Sequence, residues 1–266
     1  NVFKYLTFRT GLSLMTSLII VFLVGGPLIK LFSKRDITGP IRQDGPIDHI
    51  VKKIGTPTMG GIIIIIGILS STLMWANLKN VYIWSLIFIT FGLGCLGFID
   101  DLLKIKFKNS QGLNSKLKFL GQFIIGLVTL LFLINFSGHE YLNNLYFPFF
   151  KNLILDLGIF FIPFGLLVII GSSNAVNLTD GLDGLATVPV ILVASCFAFI
   201  SYVTGNIVFS DYLQIPYIEG VGEVAVFLGS VIGACLGFLW FNAPPAKIFM
   251  GDTGSLALGG SLGAVG

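Results

Sequence analysis

Charged residues are scarce in this chain, and cysteine is scarcer still. Only 11% of the 266 residues are Asp, Glu, Lys or Arg, whereas 55% are hydrophobic and the mean hydropathy is +0.93. Soluble domains carry about 25% charged residues, so this composition excludes a water-soluble fold and predicts a membrane protein. The three cysteines, Cys95, Cys196 and Cys235, all lie in apolar runs, which disfavours a disulfide framework and leaves no C-x-x-C metal site.

Long apolar runs make up most of the chain instead. A helix needs about 20 apolar residues to cross the hydrocarbon layer of a bilayer. Seven runs have approximately this length, and a partial eighth follows: 11–32, 60–77, 81–99, 117–136, 153–173, 185–204, 223–241 and 255–266. None alternates with a period of two residues, which disfavours a β-barrel. The sequence therefore predicts an all-α, polytopic bundle of membrane helices that forms a single domain over 1–266.

The lysines and arginines are distributed unevenly between the two sides of this bundle. Twelve of the sixteen follow odd-numbered spans, so the positive-inside rule places the amino terminus outside and those connecting segments in the cytoplasm. The cytoplasmic segments are approximately 33–59, 100–116, 174–184 and 242–254. The two histidines, His49 and His139, fall on opposite sides, and no Ser-His-Asp set is present.

The first cytoplasmic segment ends in "KKIGTPTMGG". Lys53 precedes Thr56 and Thr58, and a pair of glycines then opens the second span. Ammonium groups, hydroxyls and N–H groups at a helix start suit a phosphate. A turn flanked by positive-inside lysines has the same composition and is the alternative interpretation.

The second segment, "DDLLKIKFK", begins with two adjacent acids, Asp100 and Asp101, directly after an apolar run. Acids at a membrane boundary usually have a partner or a task. Lys104 follows Asp101 by three residues, so the two side chains can share a helix face. We expect both carboxylates to reach a metal ion or a phosphate at this helix end.

The third segment, "NAVNLTDGLDGLA", repeats an amide or an acid every three residues: Asn174, Asn177, Asp180 and Asp183. The loop carries no lysine or arginine to neutralise the acids. Asn and Asp oxygens ligate hard cations and also bind sugars and bases. The spacing is not that of an EF-hand, and a polar turn between two spans is the alternative.

The fourth segment, "FNAPPAKIFMGDTGSLALGG", starts with Asn242 and carries Asp252 in a turn that opens the next helix. Mg²⁺ needs only one or two carboxylates beside waters and phosphate oxygens, so Asp252 is a candidate ligand. A helix N-cap is the alternative.

Together, the four segments supply acids, amides and lysines but no activated hydroxyl or thiol. This set of groups favours metal-assisted phosphoryl transfer.

Taken together, "GTPTMGG", "FIDDLLK", "NAVNLTDGLDGLA" and "PPAKIFMGDTGSLALGG" resemble the polyprenyl-phosphate N-acetylhexosamine-1-phosphate transferase superfamily. The resemblance covers essentially the whole chain, with the motifs in the right order. The "TPTMGG" and "NLTDGLDG" forms are similar to those of the branch that transfers phospho-N-acetylmuramoyl-pentapeptide, rather than to the N-acetylglucosamine-specific relatives.

This resemblance implies a bacterial inner-membrane homodimer with ten spans in the full-length protein, a cytoplasmic active site, Mg²⁺ as cofactor and no nucleic-acid partner. It implies UDP-N-acetylmuramoyl-pentapeptide and undecaprenyl phosphate as substrates, and lipid I and UMP as products. Asp252 would be the Mg²⁺ ligand, and Asp100 and Asp101 would position or deprotonate the lipid phosphate. The remaining implied roles are phosphate neutralisation by Lys53 and Lys104, and a nucleotide and metal pocket lined by Asn174, Asn177, Asp180, Asp183 and Asn242.

Several alternatives remain open at this stage. The chain starts at Asn1 and not at Met, it stops within an apolar run, and the histidine-rich cytoplasmic loop of the superfamily has no match here, so we expect a sequence truncated at both ends. The sister reaction, transfer of N-acetylglucosamine-1-phosphate to a polyprenyl phosphate, is one alternative function. A membrane transporter is another, although Asp156, an acid within a predicted span, lies near its outer end. The mechanism is either direct attack by the lipid phosphate or a covalent aspartate intermediate.

Overall fold

Helices dominate the computed structural model, which describes residues 2–35, 37–38, 55–107, 112–138, 143–147, 150 and 153–266. Within these ranges the chain forms nine α-helices and one antiparallel hairpin. The helices are α1 Leu6–Lys34, α2 Gly61–Trp75, α3 Val81–Phe107, α4 Ser115–Phe136, α5 Phe161–Thr179, α6 Thr187–Thr204, α7 Ile207–Leu213, α8 Val224–Asn242 and α9 Gly251–Val265. The hairpin pairs β1 Asn144–Tyr146 with β2 Ile154–Asp156.

Six helical segments of the described chain are long and apolar enough to cross a membrane. They comprise α1, α3, α4 and α6, together with α5 and α8 extended by the short 3-10 turns that precede them. Helix α2 is apolar but has only 15 residues. The prediction of an all-α, multi-pass membrane protein is therefore confirmed.

Two predicted boundaries are wrong. The span expected from 153 begins at Gly158 with a 3-10 turn, and its α-helix begins at Phe161, because the carboxylate of Asp156 accepts the N–H of Gly158 at 2.9 Å and closes a turn there. The apolar residues before this turn form β2, so Asp156 lies in the hairpin and not in a helix. Helix α3 continues past the predicted end at 99 to Phe107, and the acidic pair lies within it.

Helices α8 and α9 form the centre of the bundle. Helix α8 packs against α1, α2 and α6, and α9 packs against α2, α3 and α5. Glycines allow the backbones to approach closely, as is common between membrane helices. A Cβ built on Gly233 of α8 would lie 2.0 Å from the carbonyl oxygen of Leu14, so α1 and α8 meet backbone to backbone.

An ion pair joins three helices at the end of the bundle where α8 begins. The guanidinium of Arg9 donates to both carboxylate oxygens of Glu223, at 2.5 and 2.8 Å, and to the carbonyl of Trp75 at 3.2 Å. The N–H of Asn77 donates to the same carboxylate at 3.0 Å. These bonds connect α1, the end of α2 and the start of α8.

Candidate active site

The first and fourth motifs pair through their backbones at the other end of the bundle. The N–H of Phe249 donates to the carbonyl of Pro57 at 2.9 Å. The N–H groups of Gly60 and Gly61 donate to the carbonyls of Phe249 and Met250, both at 2.8 Å. The turn that opens α2 therefore fixes the segment that leads into α9.

Glycine is required where α9 begins. Gly251 has φ +73°, and a Cβ at this residue would lie 2.5 Å from Oδ2 of Asp101. On the neighbouring helix, a Cβ built on Gly97 of α3 would lie 2.2 Å from the carbonyl oxygen of Asp252. The first turn of α9 consequently lies directly against the end of α3, which carries the acidic pair.

Three carboxylates converge at this contact: Asp100, Asp101 and Asp252. One oxygen from each lies within 4.8 Å of the others, and the residues of the acidic pair are only 1% and 4% exposed. Buried carboxylates at such distances need neutralising partners. The structure thus brings together three acids that the sequence analysis assigned to the site from two separate segments.

Two lysines neutralise the acidic group. Lys104 Nζ lies 2.6 Å from Oδ2 of Asp100, 3.0 Å from Oδ2 of Asp252 and 3.9 Å from Oδ1 of Asp101. The expected pairing of Lys104 with Asp101 is therefore the longer contact, because the spacing of four residues to Asp100 aligns the side chains better in α3. Lys118 of α4 contacts Oδ2 of Asp252 and lies 3.8 Å from Asp100.

The adjacent acids face different partners. Asp101 Oδ1 accepts the N–H of Asp252 at 3.1 Å, and its Oδ2 accepts the N–H and the hydroxyl of Thr253, at 3.0 and 2.7 Å. Asp100 Oδ1 accepts the N–H of Leu113 at 2.7 Å. One carboxylate of the pair therefore binds the backbone of α9, while the other lies beside the lysines.

The donor set of this group suits a divalent cation. Burial raises the pKa of the Asp252 carboxyl, but its hydrogen bond with Asp100 and the charges of Lys104 and Lys118 outweigh burial and lower the pKa well below its usual range. Carboxylate oxygens are the ligands that Mg²⁺ prefers. An ionised Asp252 with two further carboxylates within 4.8 Å fits that preference.

The predicted asparagines of α5 bond to residues of neighbouring helices. Asn174 donates to the side-chain carbonyl of Gln122 at 3.0 Å and to the backbone carbonyl of Ile170 at 2.8 Å. Asn177 accepts the hydroxyl of Ser255 at 2.9 Å. These amides connect α5 to α4 and α9, and substrate binding by either remains a prediction.

Asp183 of the third motif and Asn242 at the end of α8 bind backbone groups outside the acidic group. Asp183 accepts the N–H of Ala246 at 3.3 Å, and the side chain of Asn242 accepts the N–H of Gly184 at 2.9 Å. Asp180 follows the last residue of α5. Within the described part of the chain, neither Asp180 nor Asp183 belongs to the group of three carboxylates.

The threonines of the first motif lie near the start of α9. The N–H of Thr58 donates to Ile37 at 3.2 Å, and its hydroxyl oxygen would lie 3.2 Å from a Cβ on Gly251. Thr56 is half-buried two residues earlier. Lys53 lies outside the described residues, so its assignment to the site stays a prediction.

Three residues of the site are missing from the sequence-based set: Lys118, Gln122 and Thr253. In the sequence, Lys118 contributes only to the count of cytoplasmic lysines and arginines. Its spacing of four residues from Gln122, however, puts both side chains on one face of α4. That polar pair in an apolar helix is the signal that identifies them. Thr253 stands next to Asp252 in a motif where only the acid was assigned a role.

Comparison with known proteins shows the family of the chain. The family glycosyl transferase family 4 matches residues 83–266. The phospho-N-acetylmuramoyl-pentapeptide-transferase of Pelagibacter ubique (strain HTCC1062) is 69% identical over 266 residues, which are 100% of this chain and 74% of that protein. The resemblance found in the motifs is confirmed: the chain belongs to glycosyl transferase family 4, and within it to the family of phospho-N-acetylmuramoyl-pentapeptide-transferases.

Proposed function

We propose that this protein transfers phospho-N-acetylmuramoyl-pentapeptide from its UDP conjugate to undecaprenyl phosphate, which yields lipid I and UMP. This is the first membrane step of peptidoglycan synthesis. The observation that carries the proposal is the group of Asp100, Asp101 and Asp252, with Lys104 and Lys118 beside it, at one end of a membrane bundle. The 69% identity to a transferase of this name supports the choice of substrates.

The cofactor in this proposal is Mg²⁺, which Asp252 would hold with Asp100 beside it. When bound, the ion would stabilise negative charge on the phosphates of the sugar nucleotide and of the leaving UMP. The fit rests on three carboxylate oxygens within 4.8 Å of one another. Lys104 and Lys118 both contact Asp252, and together with its hydrogen bond to Asp100 they hold the pKa of this carboxyl below its usual range.

The residues of the chain would supply positioning and charge. An oxygen of the lipid phosphate attacks the β-phosphorus of the UDP-sugar, a new P–O bond forms, and the bond from that phosphorus to the UMP oxygen breaks. UMP leaves with the electron pair. Lys104 and Lys118 neutralise phosphate oxygens, and Asp100 positions the lipid phosphate or accepts its proton. Both ammonium groups already contact the carboxylate of Asp252.

The contacts of Asp101 argue against a covalent intermediate on this residue, and Asp100 stays the candidate for that route. Its two oxygens accept three hydrogen bonds from α9, which reduces their nucleophilicity. Incubation with labelled UDP-sugar in the absence of lipid separates the two routes. A phospho-sugar retained on Asp100 or Asp101 would overturn direct attack.

The test of the reaction is an exchange assay in detergent. Purified protein is incubated with UDP-N-acetylmuramoyl-pentapeptide, undecaprenyl phosphate and radiolabelled UMP, with and without Mg²⁺. We expect label to enter the sugar nucleotide only with Mg²⁺ and without any vesicle. Failure of exchange, with substrate movement seen only across sealed vesicles, identifies a transporter. Consumption of UDP-N-acetylglucosamine instead identifies the sister transferase.

We also propose where the protein is located and how many chains it assembles from. The protein would be a homodimer in the bacterial cytoplasmic membrane, with the site on the cytoplasmic face. Support comes from the twelve of sixteen Lys and Arg residues on the side predicted to be cytoplasmic. A membrane-impermeant maleimide should label a Lys116→Cys variant in inverted vesicles and not in intact cells. Light scattering of the purified protein measures the number of chains.

A further inference from the structure

The second acid of the adjacent pair contacts the start of α9 more closely than its neighbour does. We propose that Asp101 is a positioning residue: it holds the first turn of α9 and, through that turn, fixes the carboxylate of Asp252. The role given to Asp252 rests on the proposed function. Asp101 thereby has a different role from Asp100, whose carboxylate contacts Lys104.

Three hydrogen bonds carry the inference. Asp101 accepts the N–H of Asp252 at 3.1 Å, the N–H of Thr253 at 3.0 Å and the hydroxyl of Thr253 at 2.7 Å. N–H groups in the first turn of a helix have no carbonyl partner within that helix. A buried carboxylate on α3 therefore satisfies the donors of α9 that flank the proposed metal ligand.

Within the described residues, the other acid of the pair meets α9 only through the carboxylate of Asp252, and its remaining partners lie outside α9. Asp100 Oδ1 accepts the N–H of Leu113 at 2.7 Å, and its Oδ2 lies 2.6 Å from Nζ of Lys104. Lys104 is 3.9 Å from the nearer oxygen of Asp101. The adjacent carboxylates thus have different partners: Asp100 contacts the lysines and the loop before α4, and Asp101 accepts its hydrogen bonds from the first turn of α9.

The packing around Asp101 leaves the turn little freedom to move. A Cβ on Gly251 would lie 2.5 Å from Oδ2 of Asp101, and a Cβ on Gly97 would lie 2.2 Å from the carbonyl of Asp252. The absence of both Cβ atoms lets α3 and α9 meet at hydrogen-bonding distance. A shift of about 1 Å in a catalytic group can cost about 100-fold in rate, so the contact matters to the reaction without touching substrate.

Thr253 offers a test that leaves all three acids intact. Thr253→Val removes the hydroxyl bond to Asp101 and keeps the shape of the side chain, while Thr253→Ser keeps the bond. We expect Thr253→Val to weaken Mn²⁺ binding, followed by electron paramagnetic resonance, about tenfold. We expect kcat to fall by a similar factor with KM for the UDP-sugar nearly unchanged, and Thr253→Ser to restore most of both.

Asp101→Asn supplies the second arm. We expect weaker Mn²⁺ binding and an unchanged shape of the pH profile of kcat. Adding Thr253→Val should cause no further loss, because both substitutions break the same contact, that between Asp101 and Thr253. Normal Mn²⁺ affinity and kcat in Thr253→Val would overturn the inference, as would loss of one limb of the pH profile in Asp101→Asn. A wild-type protein that binds Mn²⁺ but consumes no UDP-sugar refutes the proposed function instead, and the Mn²⁺ comparison still decides the role of Asp101.

Discussion

Lys118, near the start of α4, contacts the carboxylate of Asp252, which lies 134 residues later at the start of α9. The contact joins two segments that no local sequence pattern connects. It also sets a cation beside the acid proposed to bind Mg²⁺, where phosphate oxygens of a substrate would need neutralisation. Lys118 thereby becomes a member of the candidate site on the same standing as Lys104.

Replacement of Lys118 should reduce activity far more than replacement of its neighbour. We expect Lys118→Met to lower kcat about 100-fold, because a preorganised charge at the reacting phosphates is lost. Lys116 is exposed, two residues away on the same helix, and Lys116→Met should stay within about twofold of wild type. Equal losses in both variants would contradict a specific role for Lys118, because they would show that only the total positive charge of this surface matters. The assay is release of UMP in detergent.

Loss of the Asp252 carboxylate should abolish divalent cation binding. Asp252→Asn removes the ionised ligand while it keeps the side-chain shape, so we expect Mn²⁺ affinity to fall at least tenfold and kcat at least about 100-fold. Asp211 is an exposed acid of α7, and Asp211→Asn should leave both values unchanged. Retained Mn²⁺ binding in Asp252→Asn would remove this residue from the metal site.

A methyl group at Gly97 should push α9 away from α3. Its Cβ would lie 2.2 Å from the carbonyl oxygen of Asp252, whereas a Cβ at Gly171 of α5 meets nothing within 4 Å. We expect Gly97→Ala to destabilise the protein by about 1–3 kcal/mol and to lower kcat, and Gly171→Ala to be neutral or stabilising by up to about 1 kcal/mol. Thermal unfolding in detergent measures the first effect. A Gly97→Ala protein with normal stability and activity would show that the two helices can separate freely.

The ion pair of Arg9 and Glu223 should support stability and not catalysis. Arg9→Met leaves a largely buried carboxylate with fewer partners, and we expect a loss of about 2 kcal/mol, between the values for exposed and buried pairs. Glu223→Gln added to Arg9→Met should restore part of that loss. Lys4 is exposed near the same end, and Lys4→Met is the control. An increase in KM for the UDP-sugar in Arg9→Met would contradict a purely structural role.

The sequence predicts those parts of the site in which chemistry is concentrated locally. Asp100, Asp101 and Lys104 stand within five residues, and Asp252 sits in a Gly-rich turn, so each is visible as an unusual residue in an apolar chain. These residues meet because α3 and α9 pack against each other. The predicted topology places both helix ends on the same side of the membrane, but it does not predict that they are in contact. The division of tasks between the adjacent acids depends on which backbone each carboxylate meets, and a single sequence does not contain that information.

Apolarity alone misplaces the start of α5. The run from 153 is as hydrophobic as the spans, yet the turn closed by Asp156 and Gly158 stops a helix from beginning there. The converse error occurs in α3, where the acids appear to end the span although the helix continues for several residues. Hydropathy measures the transfer of a segment into lipid, whereas helix ends depend on local hydrogen bonds.

The central place of α8 and α9 has a consequence for the order of assembly during synthesis. They are the last helices of the described chain, so α1 and α2 are made before α8, against which both of them pack. The hydroxyl of Ser71 on α2 donates to the carbonyl of Ser13 on α1 at 2.6 Å, a bond that does not require α8. Such bonds can hold the early helices together in lipid. Because Asp252 lies in the first turn of α9, the group of three carboxylates can form only once translation has passed that helix.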